Sequence, residues 1–356
     1  MRQERIEWID ALKFVGIFYI YLGHMGPPAG KIYTFVFTFH VALFFFISGC
    51  FAESGKNKKI LPFIAAKFRQ LMIPYFIYSA ISIFLYILST PDSSEFTNLM
   101  GYLTDAALGV RDHTIYAPAL WFLPCIFITS IIFRLLQSLS PKKYIIPLII
   151  LAYLTVNLYS LNFFPMSQPV LWLNIDSALY YIIFYCLGWL SIDKIKTTNW
   201  AISSTNPIGI VIFLLLSALC SVVFIKGIGY PLKTLDIPMP LIFRTLFNIG
   251  IVMLIIIFHF FIANAISGIP MVNTLGKDTL TLCGTETITK SILSASATTI
   301  GLSLNIFSGF SAVVFTTAML GFSYYAVLPI KNHITKHHAM NKFGSQAKRP
   351  NTSVAS

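Results

Sequence analysis

The sequence predicts an all-α membrane protein, a polytopic helix bundle of about ten transmembrane helices with both termini in the cytoplasm. Three observations carry this reading. The 356-residue chain is 56% hydrophobic and only 11% charged, where a soluble domain has about a quarter of its residues charged, and its mean hydropathy is +0.76. Apolar runs of membrane-crossing length recur from end to end with no long polar stretch between them, so one membrane domain is expected over residues 1–330. The basic residues gather in alternate loops, which is the pattern of membrane topology; the formal net charge of +12 is therefore not read as a nucleic-acid surface.

The expected spans lie at about 8–25, 31–52, 71–90, 119–137, 143–162, 170–191, 207–226, 239–264, 278–298 and 306–329. Each must be helical, because lipid offers backbone groups no other partner. The first is short and the ninth, "DTLTLCGTETITKSILSASATT", is polar, so these two are expected inside the bundle rather than against lipid. The opening "MRQERIEWID" is too acidic for a secretory leader, and no cleaved signal peptide is expected. Residues 331–356 read as a basic, disordered cytoplasmic tail, in which the adjacent His337 and His338 are solvated.

Loop charge sets the orientation. Lys56, Lys58, Lys59, Lys67 and Arg69 follow the second span, Lys142 and Lys143 the fourth, Lys194 and Lys196 the sixth, and Lys331, Lys336, Lys342, Lys348 and Arg349 the last. The intervening loops are poorer in base. The longest, 91–118, sets Asp92, Glu95, Asp105 and Asp112 against Arg111, and loop 227–238 with Lys233 is the weakest indicator. Both termini are thereby placed in the cytoplasm, with the chain crossing the cell membrane many times. Cys50, Cys125, Cys186, Cys220 and Cys283 all fall in or beside apolar runs without metal-ligand spacing, so they are expected as buried free thiols and no metal site is expected.

Ionisable residues inside spans are expensive and mark function or pairing. In the first span Asp10, Lys13 and His24 share one helical stripe, with Tyr21 close to it; Lys13 and His24 are eleven residues apart, about three turns and roughly 16 Å. Two readings stay open at this point. Lys13 snorkels to the interface beside Asp10 while His24 marks the helix end, or the stripe is functional. His40 in the second span is another intramembrane histidine. It either bonds a neighbouring carbonyl or joins His24 in moving protons, the task to which imidazole is best suited at neutral pH. Asp176 and Arg244 form a plausible structural ion pair, Glu286 is a mid-membrane proton acceptor or hydrogen-bond anchor, and His259 is expected at an interface.

These residues resemble the acyltransferase-3 family, bacterial membrane O-acyltransferases that modify envelope sugars. "WIDALKFVGIFYIYLGH" is similar to the family's first helix, with Asp10, Lys13 and His24 at its hallmark positions and lysine where arginine is usual. "FHVALFFFISGCF" is similar to the second-helix signature at His40, Ser48 and Gly49, with Ala42 in place of the common proline. "KFRQLMIPY" resembles the basic motif that leads to Pro74 and Tyr75, although Gln70 stands where a second arginine is frequent. "LWFLPCIF" at Trp121, "YYIIFYCLGWL" at Gly188 and "LGKDTLTLCGTE" from Gly276 to Leu280 resemble later helices, the last with Thr285 and Glu286 where a histidine is often found.

The resemblance implies transfer of an acetyl or similar acyl group from acyl-CoA, most often acetyl-CoA, to a hydroxyl of a cell-surface or lipid-linked glycan. It implies His24 as base or acyl carrier, Asp10 and Lys13 as organisers of the cytoplasmic end, Lys67 and Arg69 as ligands of CoA phosphates, and His40 and Glu286 in supporting roles. The acceptor is expected to meet the membrane domain itself or a partner protein. The competing class is a transporter or flippase of a lipid-linked or extracellular polysaccharide, which would also need buried charge and aromatic lining.

Overall fold

A computed structural model describes residues 7–55, 59–89, 98–111, 113–114, 116–163, 171–227, 240–301 and 306–336. The expectations resting on Lys56, Lys58, Asp92, Glu95, Asp112, Lys233, His337 and His338, and on the Arg244 and Lys142 side chains, lie outside the described residues. The described chain is helical throughout, with no strand. In order the helices are α1 (Glu7–Gly23), α2 (Lys31–Gly49), α3 (Ile60–Ser89), α4 (Leu99–Leu108), α5 (Phe122–Leu139), α6 (Lys142–Phe163), α7 (Ile175–Thr197), α8 (Pro207–Lys226), α9 (Leu241–Ile266), α10 (Pro270–Lys277), α11 (Thr279–Thr299) and α12 (Gly309–Lys336).

Seven of these, α2, α3, α5, α7, α8, α9 and α12, are long and apolar enough to cross a membrane, and the protein is a multi-pass membrane protein. The three other expected spans are also helices, each with a physical reason for reading weakly. α1 has only 17 residues and carries Asp10. α6 contains Pro147, and its described apolar part runs over Lys143–Val156. α11 is rich in threonine and serine. α12 continues to Lys336, so the expected boundary at residue 330 falls within a helix. Both α3 and α12 contain a π turn, at Phe68–Met72 and Ser323–Val327, where one extra residue is accommodated in the ladder.

α1 is the centre of the bundle and packs against α2, α9, α10, α11 and α12. Its core residues Leu12, Ile17, Tyr21 and Leu22 are almost completely buried, as expected for the short first span. α11 divides. Thr281 to Glu286 lie inside the bundle, but most of 291–300 is exposed, so only its first half meets the expectation of an interior helix.

Small residues set how closely the helices approach, because between membrane helices packing replaces the hydrophobic effect as the attraction. α2 crosses α7 backbone to backbone. A Cβ at Gly49 would collide with the Tyr185 carbonyl, and one at Gly188 with the Phe46 carbonyl. The two glycines singled out in the sequence are therefore the two sides of one crossing. Gly276 does the same for α10 against the Asp10 carbonyl of α1.

Replacing Gly188 tests the crossing. Gly188→Ala is expected to lower stability by about 1–3 kcal/mol through overpacking, and Gly188→Leu to prevent accumulation of a monodisperse protein. Gly250→Ala, on α9 where an added Cβ meets nothing, should be neutral or stabilising by about 0.4–1 kcal/mol. Thermal unfolding followed by size-exclusion in detergent checks all three.

Candidate active site

α1 and α11 run side by side in the same direction, and three contacts one turn apart fix their register. The Tyr21 hydroxyl donates to the Leu282 carbonyl at 2.9 Å. His24 Nδ1 lies 3.0 Å from Glu286 Oε2. The Lys290 ammonium donates to the His24 carbonyl at 2.8 Å. The partners on α11 are residues 282, 286 and 290, spaced by four, which keeps them on one helical face.

His24 stands just past the end of α1, held by its amide to the Ile20 carbonyl at 3.1 Å. The Glu286 side chain is 2% exposed, against 19% for His24, so the carboxylate is sealed in while part of the imidazole is accessible. Oε2 also accepts from the Thr287 hydroxyl at 3.4 Å. Oε1 is buried without a hydrogen-bond partner among the described residues. Opposite an ionised carboxylate, Nδ1 carries the proton and Nε2 is left as an acceptor with a free lone pair. A carboxylate behind the imidazole fixes this tautomer and stabilises the imidazolium that forms when Nε2 takes a proton, which is the logic of a histidine general base.

The remaining expected residues divide between this end of α1 and the opposite one. His40 is buried and donates Nδ1–H to the Val36 carbonyl at 2.8 Å; it lies within electrostatic reach of His24 but outside the His24–Glu286 pair. Asp10 and Lys13 pair with each other at 3.4 Å, with the Lys13 ammonium 5.6 Å from the centre of the Phe51 ring. They sit roughly 16 Å (Lys13) and 21 Å (Asp10) along α1 from His24. Lys67 and Arg69 flank the start of the π turn in α3. Lys67 is half-buried with its ammonium 6.0 Å from the Phe63 ring, while Arg69 is exposed and bonds the Ala65 carbonyl.

His259 lies seven residues before the end of α9, on its inward face. It is fully buried, donates to the Ile255 carbonyl at 2.7 Å, accepts from the Tyr19 hydroxyl at 3.0 Å and stacks on Phe39. All its polar atoms are satisfied, and it ties α9 to α1. Asp176 opens α7 by accepting from the amide of Ser177 at 2.8 Å. The cysteines are free, with Cys125, Cys186, Cys220 and Cys283 buried and Cys50 partly so. Among the described residues no group of histidine, cysteine or carboxylate side chains has the arrangement of a metal site.

Two residues were missed by sequence reasoning. Lys290 reads as an ordinary polar residue in a serine-rich helix, although its spacing of four from Glu286 was a usable signal. Asn174 looks like a loop residue. It adopts a left-handed conformation (φ 55°), is fully buried, accepts from the Arg111 amide at 2.7 Å, and donates to the Gly109 and Trp121 carbonyls. It thereby pins the segment before α5 into the bundle, where Ala119 packs beside Tyr21 and its carbonyl accepts from Cys283 at 3.3 Å.

A part-buried histidine–carboxylate pair with a lysine one turn on, set in a membrane helix bundle, has the chemistry to take up and release a proton. A family model described as an acyltransferase domain (acyltransferase-3) matches residues 6–282. The chain belongs to the acyltransferase-3 family and is a membrane acyltransferase. No curated protein and no solved structure matches it. The matched stretch contains Asp10, Lys13, His24, His40, Lys67 and Arg69 and stops before Glu286 and Lys290.

Coupling between the pair is measurable as stability. A double-mutant cycle of His24→Ala and Glu286→Ala should be non-additive by about 0.5–3 kcal/mol, because either change alone strands the other polar group. Melting of the four proteins in one detergent checks it; strict additivity would show that the 3.0 Å contact carries no energy.

Proposed function

We propose that the protein moves an acetyl or similar acyl group from acyl-CoA, with acetyl-CoA the expected donor, to a hydroxyl of a cell-surface or lipid-linked glycan in a bacterial cell membrane. The observation that carries this reading is the His24–Glu286 pair, with Nδ1 on the carboxylate and Nε2 without a hydrogen bond among the described residues. His24 Nε2 takes the proton of the acceptor hydroxyl as its oxygen attacks the thioester carbonyl. The Lys290 ammonium bonds only the His24 carbonyl among the described residues, so two of its three N–H donors remain for the developing oxyanion. Collapse of the intermediate breaks the C–S bond, and the imidazolium returns its proton to the departing thiolate, giving ester and free CoA. An exporter of glycans would need none of these proton transfers.

The donor is assigned to the other end of α1. CoA separates its phosphates from its thioester by a long pantetheine arm, and the basic cluster is likewise separated from His24. Lys67 and Arg69 hold phosphates through charge-assisted hydrogen bonds, and Asp10 and Lys13 order the mouth through which the arm passes. With ten spans and both termini cytoplasmic, that mouth faces the cytoplasm, where acyl-CoA is made, and His24 lies toward the outer face.

His24→Gln is the decisive variant, since it keeps a hydrogen-bonding side chain and removes proton transfer. Acyl-ester formation should fall by about 10²–10⁴-fold while the protein accumulates normally. Lys290→Met should lower kcat by about 10²–10³-fold with little change in the KM for acetyl-CoA. Near-wild-type turnover by His24→Gln together with loss in His40→Gln would move the base to α2.

At the donor end, Lys67→Ala with Arg69→Ala should raise the KM for acetyl-CoA and spare kcat, because contacts to a remote phosphate supply uniform binding. Steady-state kinetics over a donor series decides; collapse of kcat at unchanged KM would place the two residues in the chemical step.

A further inference from the structure

α4 (Leu99–Leu108) has ten residues, too few to cross a membrane. It does not lie across the end of the bundle. The Tyr102 ring packs edge-on against the Tyr86 ring of α3, with centroids 5.7 Å apart. Four residues on, the Ala106 carbonyl accepts from the Tyr75 hydroxyl at 2.8 Å. Tyr75 and Tyr86 are separated by about 16 Å along α3. α4 therefore runs against the direction of α3, entering beside its Ser89 end and pointing back toward its middle. The chain that follows stays inside: Gly109, Ala117, Ala119 and Leu120 are buried, and Ala119 packs beside Tyr21, one turn from His24.

The end of α4 is finished without water. The last carbonyls of a helix have no partner within it, and at an aqueous surface water supplies one. Here the protein does. The Gly109 amide donates to Asp105 at 2.9 Å, Tyr75 to Ala106, and Trp172 Nε1 to Ala107 at 3.2 Å. Hydrocarbon demands such partners. Tyr102 and Ala106 face the bundle and are buried. Met100, Leu103 and Ala107 share another side at helical spacing and are exposed, Met100 at 72% and Leu103 at 44%. The one charged side chain of α4, Asp105, lies on the side opposite these three, with its carboxylate 3.6 Å from His113 Nδ1. Trp172, 57% exposed where it bonds Ala107, is the residue type enriched at membrane interfaces.

We propose that α4 re-enters the membrane from the face at which α3 ends, with Met100, Leu103 and Ala107 against lipid hydrocarbon. The bilayer is the partner this surface fits, because α4 packs on a span that is itself lipid-facing: Phe84 and Leu88 of α3 are 63% and 66% exposed. The surface of α4 extends theirs and carries no charge. α4 is then a lipid-held arm that brings the segment before α5 to the depth of the His24–Glu286 pair. Loop charge alone would leave this helix in water. The placement is independent of the group the protein transfers.

The test uses the purified full-length protein in phosphatidylcholine nanodiscs, with dansylalanine at position 100, 103 or 107 and, as a lipid-facing reference, at position 84. Quenching by 5-doxyl and 16-doxyl phosphatidylcholine, whose nitroxides lie near the headgroups and near the bilayer centre, reads the depth of each label. Depth should increase by about 5–10 Å from position 100 to position 107, the rise of seven residues in a tilted helix. Equal depths would make α4 a helix lying flat on the surface and overturn the proposal. Quenching by aqueous iodide rather than by either lipid would also overturn it. So would labels shielded from all three quenchers while position 84 responds, since protein would then cover this face. A smaller probe guards against misfolding by the dansyl group. Leu103→Cys should react with a water-soluble maleimide no faster than the wild-type protein, whose thiols are buried or partly so. Reaction as fast as that of Ser204→Cys, on the exposed α7–α8 loop, would place α4 in water and end the proposal.

Discussion

Burial of the Glu286 carboxylate is the constraint around which the rest is arranged. An ionised carboxylate withdrawn from water costs several kcal/mol unless paired, and Glu286 is 1% exposed. Among the described residues its compensation comes from His24 at the end of α1 and from its own helix: the imidazole, the Thr287 hydroxyl, and the charge of Lys290 one turn on. α11 must therefore stay in register with α1. The backbone contacts at Tyr21 and Lys290 lock the register from both sides of the pair, and Gly276 lets the segment just before α11 press on the Asp10 carbonyl at the far end of α1. Joining α12 to the start of α11 is the ion pair of Lys331 with Asp278. α1, with only 17 residues and with Asp10 and Lys13 among them, is held by specific contacts along its length.

That arrangement separates two kinds of charge. At one end of α1 stand Asp10, Lys13 and the basic start of α3; at the other stand His24, Glu286 and Lys290. Between them α1 presents Ile17, Ile20 and Tyr21, all buried. A compact ion moving along α1 between these ends would meet buried apolar surface with nothing to replace its hydration.

Much of the fold was legible because membrane helices are specified by length and apolarity, which local sequence contains in full. All ten expected spans coincide with helices, and the glycines at 49 and 188 were visible as motif residues. That they face each other was not, because 139 positions separate them and only the fold sets one against the other. The site was legible in its members and not in its pairing. His24 and Glu286 each stood out as lone ionisable groups, 262 residues apart. His40 and His259 stood out equally, and what sets them aside is a bond from Nδ1 to the carbonyl four residues back, which any helical histidine can make. Lys290 was hidden by its context, since a lysine among serines and threonines looks like a helix end turned to water.

The unpartnered second oxygen of Glu286 gives the site its direction. Natural proteins rarely leave a buried polar atom unsatisfied, and the exceptions concentrate where function needs an open position. Oε2 is engaged by His24 and Thr287, while Oε1 is buried with nothing to accept from among the described residues. A fully satisfied carboxylate would be a structural anchor. One that keeps an oxygen free retains lone pairs that strengthen its hold on the imidazole once that ring becomes cationic, since its charge is not dispersed into further bonds. A carboxylate set against a histidine is better matched to an imidazolium than to a neutral ring. An environment complementary to the charged state of the reaction is what distinguishes a catalytic base from a histidine that merely packs.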